Sequence, residues 1–202
     1  QALYGKCMEV AYLRDGDVWS VSKKGLVSPE GCQSPVFEIL EGNAEMPDLG
    51  HFPHFMMKEI HDQPISISNV LGGRISSDGL NARLGGFSLS PEEMGMLRRI
   101  NLIACGTAFY AAEIGSFLIR EHSNITVEAF RSSEFNAEKL CGPDTLTIGI
   151  SQSGETKDTL DALQSAKMSG GEIASLCNVI GSTISRYTSN GAYLYAGQEY
   201  SV

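Results

Sequence analysis

The residues with the densest potential for chemistry are Ser151, Gln152, Ser153, Gly154 and Thr156, within the stretch SQSGETKDTL. Three hydroxyls, an amide and a glycine fall in six residues, which is more small hydrogen-bonding groups than a turn needs. They follow the apolar run TLTIGI and precede DTLDALQSAKM, where Leu160, Leu163 and Ala166 or Lys167 recur at helical spacings. A polar loop so placed meets backbone N–H groups that lack intrahelical partners, at the positive end of a helix dipole. With hydroxyl donors and a glycine that lets the backbone come close, the chemistry is anion binding, phosphate above all. The alternative is a plain helix cap, for which one Ser or Thr hydroxyl suffices.

The elements that must hold this loop emerge from residue 98 onward, where strands and helices alternate. INLIACG is an apolar strand, TAFYAAEIGSFLIREH a helix, ITVEAF a second strand and TLTIGIS a third. EIASLCNV and AYLYAG complete an expected set of five. Near-continuously apolar strands alternating with helices imply a parallel sheet covered on both faces, a three-layer αβα sandwich. Such sheets bind ligands beyond the carboxyl ends of their strands. The loops expected there are CGTA (105–108), RSSEF (131–135), SQSGET (151–156) and NVIGSTIS (178–185). Neither GxGxxG nor GxxxxGK[ST] occurs, so a small phosphorylated molecule fits better than a dinucleotide or nucleoside triphosphate.

Upstream, VAYLRDGDVWSV reads as a hairpin turning at Asp15-Gly16, followed by a Gly-, Pro- and Ser-rich linker. Residues 53–71 read as a helix with Pro53 in its first turn and Pro64 ending or kinking it. The expected division is 1–48 as the end of another domain with its linker, 49–97 as a helical lead-in and loop, and 98–202 as the α/β lobe.

The 202 residues are 42% hydrophobic and 19% charged, an ordinary globular composition. A formal net charge of −9 argues against nucleic acid or an anionic membrane surface as partner. No window approaches a membrane span, and QALYGKCMEV has no signal-peptide pattern. Five cysteines at irregular spacing form no zinc pattern and no disulfide framework, and the cytoplasm is the expected compartment. His51 and His54 form an HxxH pair with no third ligand candidate nearby, so no metal is expected.

ACGTAFYAA followed by SQSGETKDTL resembles the sugar isomerase (SIS) domain. The closer resemblance is to the first SIS lobe of the glutamine:fructose-6-phosphate amidotransferases, or glucosamine-6-phosphate synthases. HFPHFMMKEIHDQP, SSEF, CNVIGSTISR and the closing AGQEYSV are similar to that family in order and spacing. AYLRDGDVWSV looks like the end of its glutaminase domain. The resemblance implies that Ser151, Gln152, Ser153 and Thr156 hold the phosphate of fructose 6-phosphate or glucosamine 6-phosphate. It implies that Cys105, Gly106 and Thr107 form the strand-to-helix turn beside the sugar, and that the backbone of Val202 faces the sugar. The family usually has a serine where this chain has Ala108, which puts one sugar contact in doubt.

The family's acid–base glutamate, ring-opening histidine and Schiff-base lysine lie in a second lobe and tail, without counterparts in these residues. Nor is there a counterpart of its glutaminase nucleophile, since Cys7 does not match. The expectation is a middle piece of a larger enzyme that binds more than it catalyses, needs no cofactor, and pairs with a second SIS lobe or another copy. In eukaryotic members the back of this lobe binds UDP-N-acetylglucosamine. The resemblance places Arg74, Gly86, Ser185, Thr188 and Gly191 there, with Tyr193 where a histidine is expected. The competing reading makes Arg74 a solvated cation and RISSDG an ordinary turn.

A lone SIS lobe serving as a sugar-phosphate sensor is the rival reading, but no attached DNA-binding helix pair is seen. Among other polar residues, Glu59, His61 and Asp62 are expected on a solvated helix face. Glu155 is expected to point away from a bound phosphate or to accept backbone N–H bonds. Glu134 is assigned to pocket structure, and Ser132 and Ser133 to orienting neighbouring loops. The GST of NVIGSTIS is expected to cap a short helix.

Overall fold

The computed structural model describes residues 9–11, 18–23, 25–27, 37–39 and 48–201. It divides into two compact units, residues 1–54 and 55–202. In the first, β1 (Glu9–Ala11) pairs antiparallel with β4 (Phe37–Ile39), and β2 (Ser20–Ser22) with β3 (Gly25–Val27). The expected turn at Asp15-Gly16 lies outside the described residues, as do the adjoining residues of its two arms; among the described residues, Glu9–Ala11 pairs with β4 and Ser20–Ser22 with β3.

The second unit begins with α1 (Phe55–Leu71), which continues seven residues past Pro64. Pro64 therefore does not end it. Proline removes one N–H and frees the carbonyl four residues back. That carbonyl belongs to Ile60, itself half exposed, where water can replace the lost donor. Pro53 lies two residues before the first helical residue, outside the first turn. A short α2 (Pro91–Met96) follows, closed by a reciprocal capping box between Ser90 and Glu93.

The α/β lobe then runs β5 (Arg99–Ala104), α3 (Thr107–His122), β6 (Thr126–Arg131), α4 (Ala137–Leu140), β7 (Thr145–Ser151), α5 (Lys157–Met168), β8 (Glu172–Cys177), α6 (Thr183–Thr188) and β9 (Gly191–Tyr193). All five strands are parallel, in the order β6-β5-β7-β8-β9. This is the expected three-layer sandwich. The boundaries of α3 and β7 match the sequence reading to the residue, whereas β9 is half the expected length.

The period of two along each strand divides the core. Leu102, Ala104, Leu146 and Ile148 pack with Ala112 of α3 on one face. Ile103, Ile173 and Cys177 pack with Ala162, Leu163 and Ala166 of α5 on the other. At Gly149 an added Cβ would stand 2.6 Å from Leu163 Cδ1, so α5 lies directly on the β7 backbone.

The chain leaves β5 toward β6 and then crosses back past β5 to β7, so the direction of winding reverses between β5 and β7. Their following helices, α3 and α5, cover opposite faces. A crevice opens at such a switch point, at the carboxyl ends of the strands.

Candidate functional site at the strand switch

Parallel register brings the ends of β5, β6, β7 and β8 to one edge, with Ala104 opposite both Arg131 and Ile150, and Ser151 opposite Cys177. Four loops leave that edge, as expected. The loop after β7 is folded on itself. Ser151 is almost fully buried; its Oγ accepts the Gly154 N–H at 3.0 Å and pairs with the Thr156 hydroxyl at 2.9 Å. Ser153 Oγ accepts the Glu155 N–H at 3.2 Å. Of the two protons shared by Ser151 and Thr156, one is spent within the pair and the other can be donated outward. The proton of Ser153 is also available.

Gly154 is a position where glycine is required. Its φ is +67°, and an added Cβ would stand 2.0 Å from Ser182 Oγ. The loop also meets the β8 exit: Gln152 O accepts the Asn178 N–H at 3.2 Å, and Gly154 O accepts the Ile184 N–H at 2.9 Å.

The helix termini at this edge fall into two classes. α4 is capped by Asn136, whose side chain accepts the Lys139 N–H at 3.3 Å. At α6 the Glu155 carboxylate accepts the Thr183 N–H at 2.8 Å. The expected cap from the GST serine is therefore corrected: Ser182 occupies the cap position without a side-chain cap bond, donating to Ser185 Oγ at 3.2 Å instead. Glu155, by contrast, behaves as expected. α3 and α5, the helices on either side of the switch, have no side-chain cap. Thr156 occupies the cap position of α5 but its hydroxyl faces Ser151, and Gly106, at the cap of α3, has no side chain to offer. A helix start carries roughly half a positive charge. Two such starts therefore stand beside the switch without side-chain cap bonds.

Cys105, Gly106 and Thr107 lie where the sequence places them, at the β5 exit, with Cys105 half-buried and the other two exposed. Beneath the loops, Thr159 of α5 is fully buried, with its Oγ1 2.9 Å from Ser132 Oγ and 3.9 Å from Cys105 Sγ. This knot ties the loops after β5 and β6 to one helix. Ser132 thus orients neighbouring loops as expected, while Glu134 is exposed in the short 3-10 turn Ser132–Glu134. Thr159 was missed in the sequence, although its spacing to Ala162, Leu163 and Ala166 puts it on the buried face of α5. Burial pushes the Cys177 thiol above its ordinary value, outweighing hydrogen bonds from Ser182 and Ser175, so it stays a neutral core thiol. Val202 lies outside the described residues.

The second expected group gathers around β9. Gly86, Ser185 and Gly191 line a cavity of about 200 Å³ with Ser175, Asn190 and Tyr193. Thr188 is buried and joins Ser175 hydroxyl to hydroxyl at 2.8 Å. Gly191 N donates to Gly86 O at 2.8 Å, and an added Cβ on Gly86 would stand 2.2 Å from Gly191 O. Arg74 is half-buried and has partners, so it is not simply a solvated cation: it donates to the carbonyl of Tyr193 and lies 5.4 Å from the centre of the Tyr195 ring. It is not among the residues lining that cavity.

Glu59 lies on a helix with no buried residue, as expected, but it also has partners there: it accepts the Tyr200 N–H at 2.7 Å, the Ser201 N–H at 3.4 Å and the Ser201 hydroxyl, and so binds the segment after β9. Among the described residues no group of three or more His, Cys, Asp or Glu is placed to hold a metal. No helix of the described residues is long and apolar enough to cross a membrane.

Residues 97–202 match the family model described as the SIS domain. The glutamine–fructose-6-phosphate aminotransferase (isomerizing) of Chlorobaculum tepidum is 40% identical over 96% of this chain and 32% of its own length. That of Clostridium tetani is 36% identical over 100% of this chain and 34% of its own. The chain thus spans about a third of the length of the curated relatives it matches. Among solved structures, the C-terminal domain of glucosamine-fructose-6-phosphate aminotransferase from Francisella tularensis superposes with a TM-score of 0.64 and 26% identity, over 75% of this chain and 42% of that one.

Proposed function

The chain belongs to the SIS domain family, and from that premise we propose that its switch-point crevice binds the phosphate of fructose 6-phosphate or glucosamine 6-phosphate. The observation that carries the reading is the pair of helix starts on either side of the switch, α3 and α5, both without a side-chain cap. An anion placed there would meet both dipoles and the outward protons of Ser153 and the Ser151–Thr156 pair. Gln152 shapes the loop through its carbonyl, and Cys105, Gly106 and Thr107 border the sugar.

In this proposal the lobe is one part of a protein that transfers ammonia from glutamine to fructose 6-phosphate, in hexosamine biosynthesis leading to UDP-N-acetylglucosamine. The names of its curated relatives support this placement. Residues 1–48 would be the end of a glutaminase-like domain and its linker, 49–97 a lead-in, and 98–202 the SIS lobe. The backbone of Val202 would face the sugar. Cytoplasmic location is consistent with Cys105, Cys141 and Cys177 being free thiols. Pairing with a second lobe or another copy is supported by the exposed apolar stripe Tyr110, Ile114, Phe117 and Leu118 on α3.

The cavity beside β9 supports a second proposed site, for UDP-N-acetylglucosamine. Its roughly 200 Å³ would hold one end of that ligand, since whole-ligand pockets are usually about 300–1,000 Å³. Arg74 would have to exchange the Tyr193 carbonyl for the diphosphate, and titration with the nucleotide sugar alongside Arg74→Ala tests that exchange.

The experiment for the main site is calorimetric titration with glucosamine 6-phosphate and, separately, glucosamine. The expected result is binding that requires the phosphate and is lost in Ser151→Ala/Ser153→Ala. Equal affinity for both sugars, or no binding by the folded chain at millimolar ligand, overturns the reading.

A further inference from the structure

Residues 194–201, beyond β9, form no regular secondary structure yet are fastened at several points. Leu194 N donates to Cys177 O at 2.9 Å, and Tyr195 then takes a left-handed backbone, φ +52°. Ser66 of α1 donates to Ala196 O at 3.1 Å, and Glu59 of α1 takes the N–H groups of Tyr200 and Ser201. Between these fixings stands Asn178, the first residue after β8. Its Oδ1 accepts the Ala196 N–H at 2.8 Å, and its Nδ2 donates to Gly197 O. Its own backbone N–H is the donor to Gln152 O, in the middle of the anion loop.

One residue thus holds the anion loop with its backbone and the exit segment with both ends of its carboxamide. We infer that Asn178 is a positioning residue that couples the conformation of the 151–156 loop to that of the 194–201 segment. The use of this coupling as a report of ligand occupancy rests on the reading of the loop as a phosphate site. The coupling itself does not, because it is made by protein–protein hydrogen bonds. A rise or tilt of Gln152 as the loop closes on an anion drags the Asn178 backbone and moves the carboxamide against the Ala196 N–H and the Gly197 carbonyl. A carboxamide is the side chain for this task, since it presents a donor and an acceptor side by side, one for the Gly197 carbonyl and one for the Ala196 N–H. Aspartate keeps the acceptor for Ala196 and sets a carboxylate against the Gly197 carbonyl, while alanine keeps neither bond.

The test is backbone hydrogen exchange on the 202-residue chain, comparing segments 151–156 and 194–201, with β5 and β7 amides as the internal check that each variant is folded. In the first arm, without ligand, Ser151→Ala loosens the loop. The expected result is exchange in 194–201 accelerated several-fold with Asn178 present, and no further acceleration when Ser151→Ala is added to Asn178→Ala. In the second arm, glucosamine 6-phosphate slows exchange in both segments of the parent chain but only in 151–156 of Asn178→Ala. Asn178→Asp serves in place of the alanine variant if that one does not fold; it keeps the Ala196 bond and loses the Gly197 one, so the expected result is a smaller response of 194–201 than in the parent chain in both arms.

Unchanged exchange of 194–201 in Ser151→Ala, on an intact core, overturns the coupling whatever the ligand does. Full ligand-dependent protection of 194–201 in Asn178→Ala overturns it as well. Absence of protection at 151–156 in the parent chain refutes the phosphate reading alone, and the first arm still decides the coupling.

Discussion

The carboxylate of Glu155 accepts the backbone N–H of Thr183 at 2.8 Å. A residue of the anion loop thereby caps the helix that leaves the neighbouring strand. The bond disposes of a difficulty in the loop's composition, because a free carboxylate at its mouth would repel a bound phosphate. Held on the start of α6, it is drawn toward a positive dipole end instead. Together with the Ile184 N–H on Gly154 O, it fixes the β7 and β8 exits as one body.

Replacing Glu155 with alanine should therefore lower the free energy of unfolding by about 1 kcal/mol, the usual cost of a lost cap. Urea denaturation reads this loss. Glutamine can still accept the Thr183 N–H, so Glu155→Gln should lose less. Neither change should weaken glucosamine 6-phosphate binding, since the charge removed is of the ligand's own sign. A marked fall in affinity for Glu155→Gln would show the carboxylate contributing to the site directly.

Gly154→Ala should be more severe. The left-handed backbone costs a side chain about 1–2 kcal/mol, and the new Cβ would stand 2.5 Å from Ser182 Cβ as well as against its hydroxyl. Adding Ser182→Gly removes the collision but not the backbone strain. The double variant should recover part of the stability lost, and a calorimetric comparison of the two melting temperatures measures the division. Full recovery would mean the backbone is not strained there.

The sandwich was legible because its strands are continuous apolar runs bounded by polar turns, and a parallel sheet buried on both faces demands that pattern. TLTIGIS and TAFYAAEIGSFLIREH gave their own boundaries for that reason. α1 runs to Leu71 as read, and of the two outcomes expected at Pro64 it does not end there, because the carbonyl that the proline frees needs no protein partner where water is at hand. β9 was read too long because AYLYAG alternates like a strand, although Asn178 claims its last peptide groups through a contact spanning 18 residues. At the site, the loop residues were legible as types, but their division of labour was not. That Thr156 would face Ser151 and leave α5 without a side-chain cap depends on tertiary packing. Thr159 was hidden because a buried hydroxyl on an apolar helix face has the same spacing as a core residue.

That hydroxyl yields a prediction in which two changes are milder than one. Thr159→Val keeps the shape and leaves Ser132, only 5% exposed, without its partner. An unsatisfied buried hydroxyl costs about 1–3 kcal/mol, while removing both partners can be nearly neutral. Ser132→Ala/Thr159→Val should therefore be more stable than Thr159→Val alone in denaturant titrations. If the double variant is the weaker, the knot draws its stability from packing and not from the hydrogen bond.

Glu59 gives the pH dependence of the exit segment. Burial alone would raise its carboxyl, but the Ser201 hydroxyl, the Tyr200 and Ser201 N–H groups and the nearby Lys58 charge outweigh it and leave it below its ordinary value of 4.5. Lys58 is itself paired with Asp62 on the same helix. A carboxyl depressed in the folded state contributes stability that is fully present above its unfolded value and is lost as pH falls through its folded value. The fastening of Tyr200 and Ser201 should thus be intact at neutral pH and released only below 4.5. In an NMR titration the Tyr200 and Ser201 amide resonances should move together, with a midpoint below that value, and Glu59→Gln should abolish the transition. A Glu59 carboxyl titrating above its ordinary value would mean that burial dominates and that the hydrogen bonds to the exit segment are too weak to hold it.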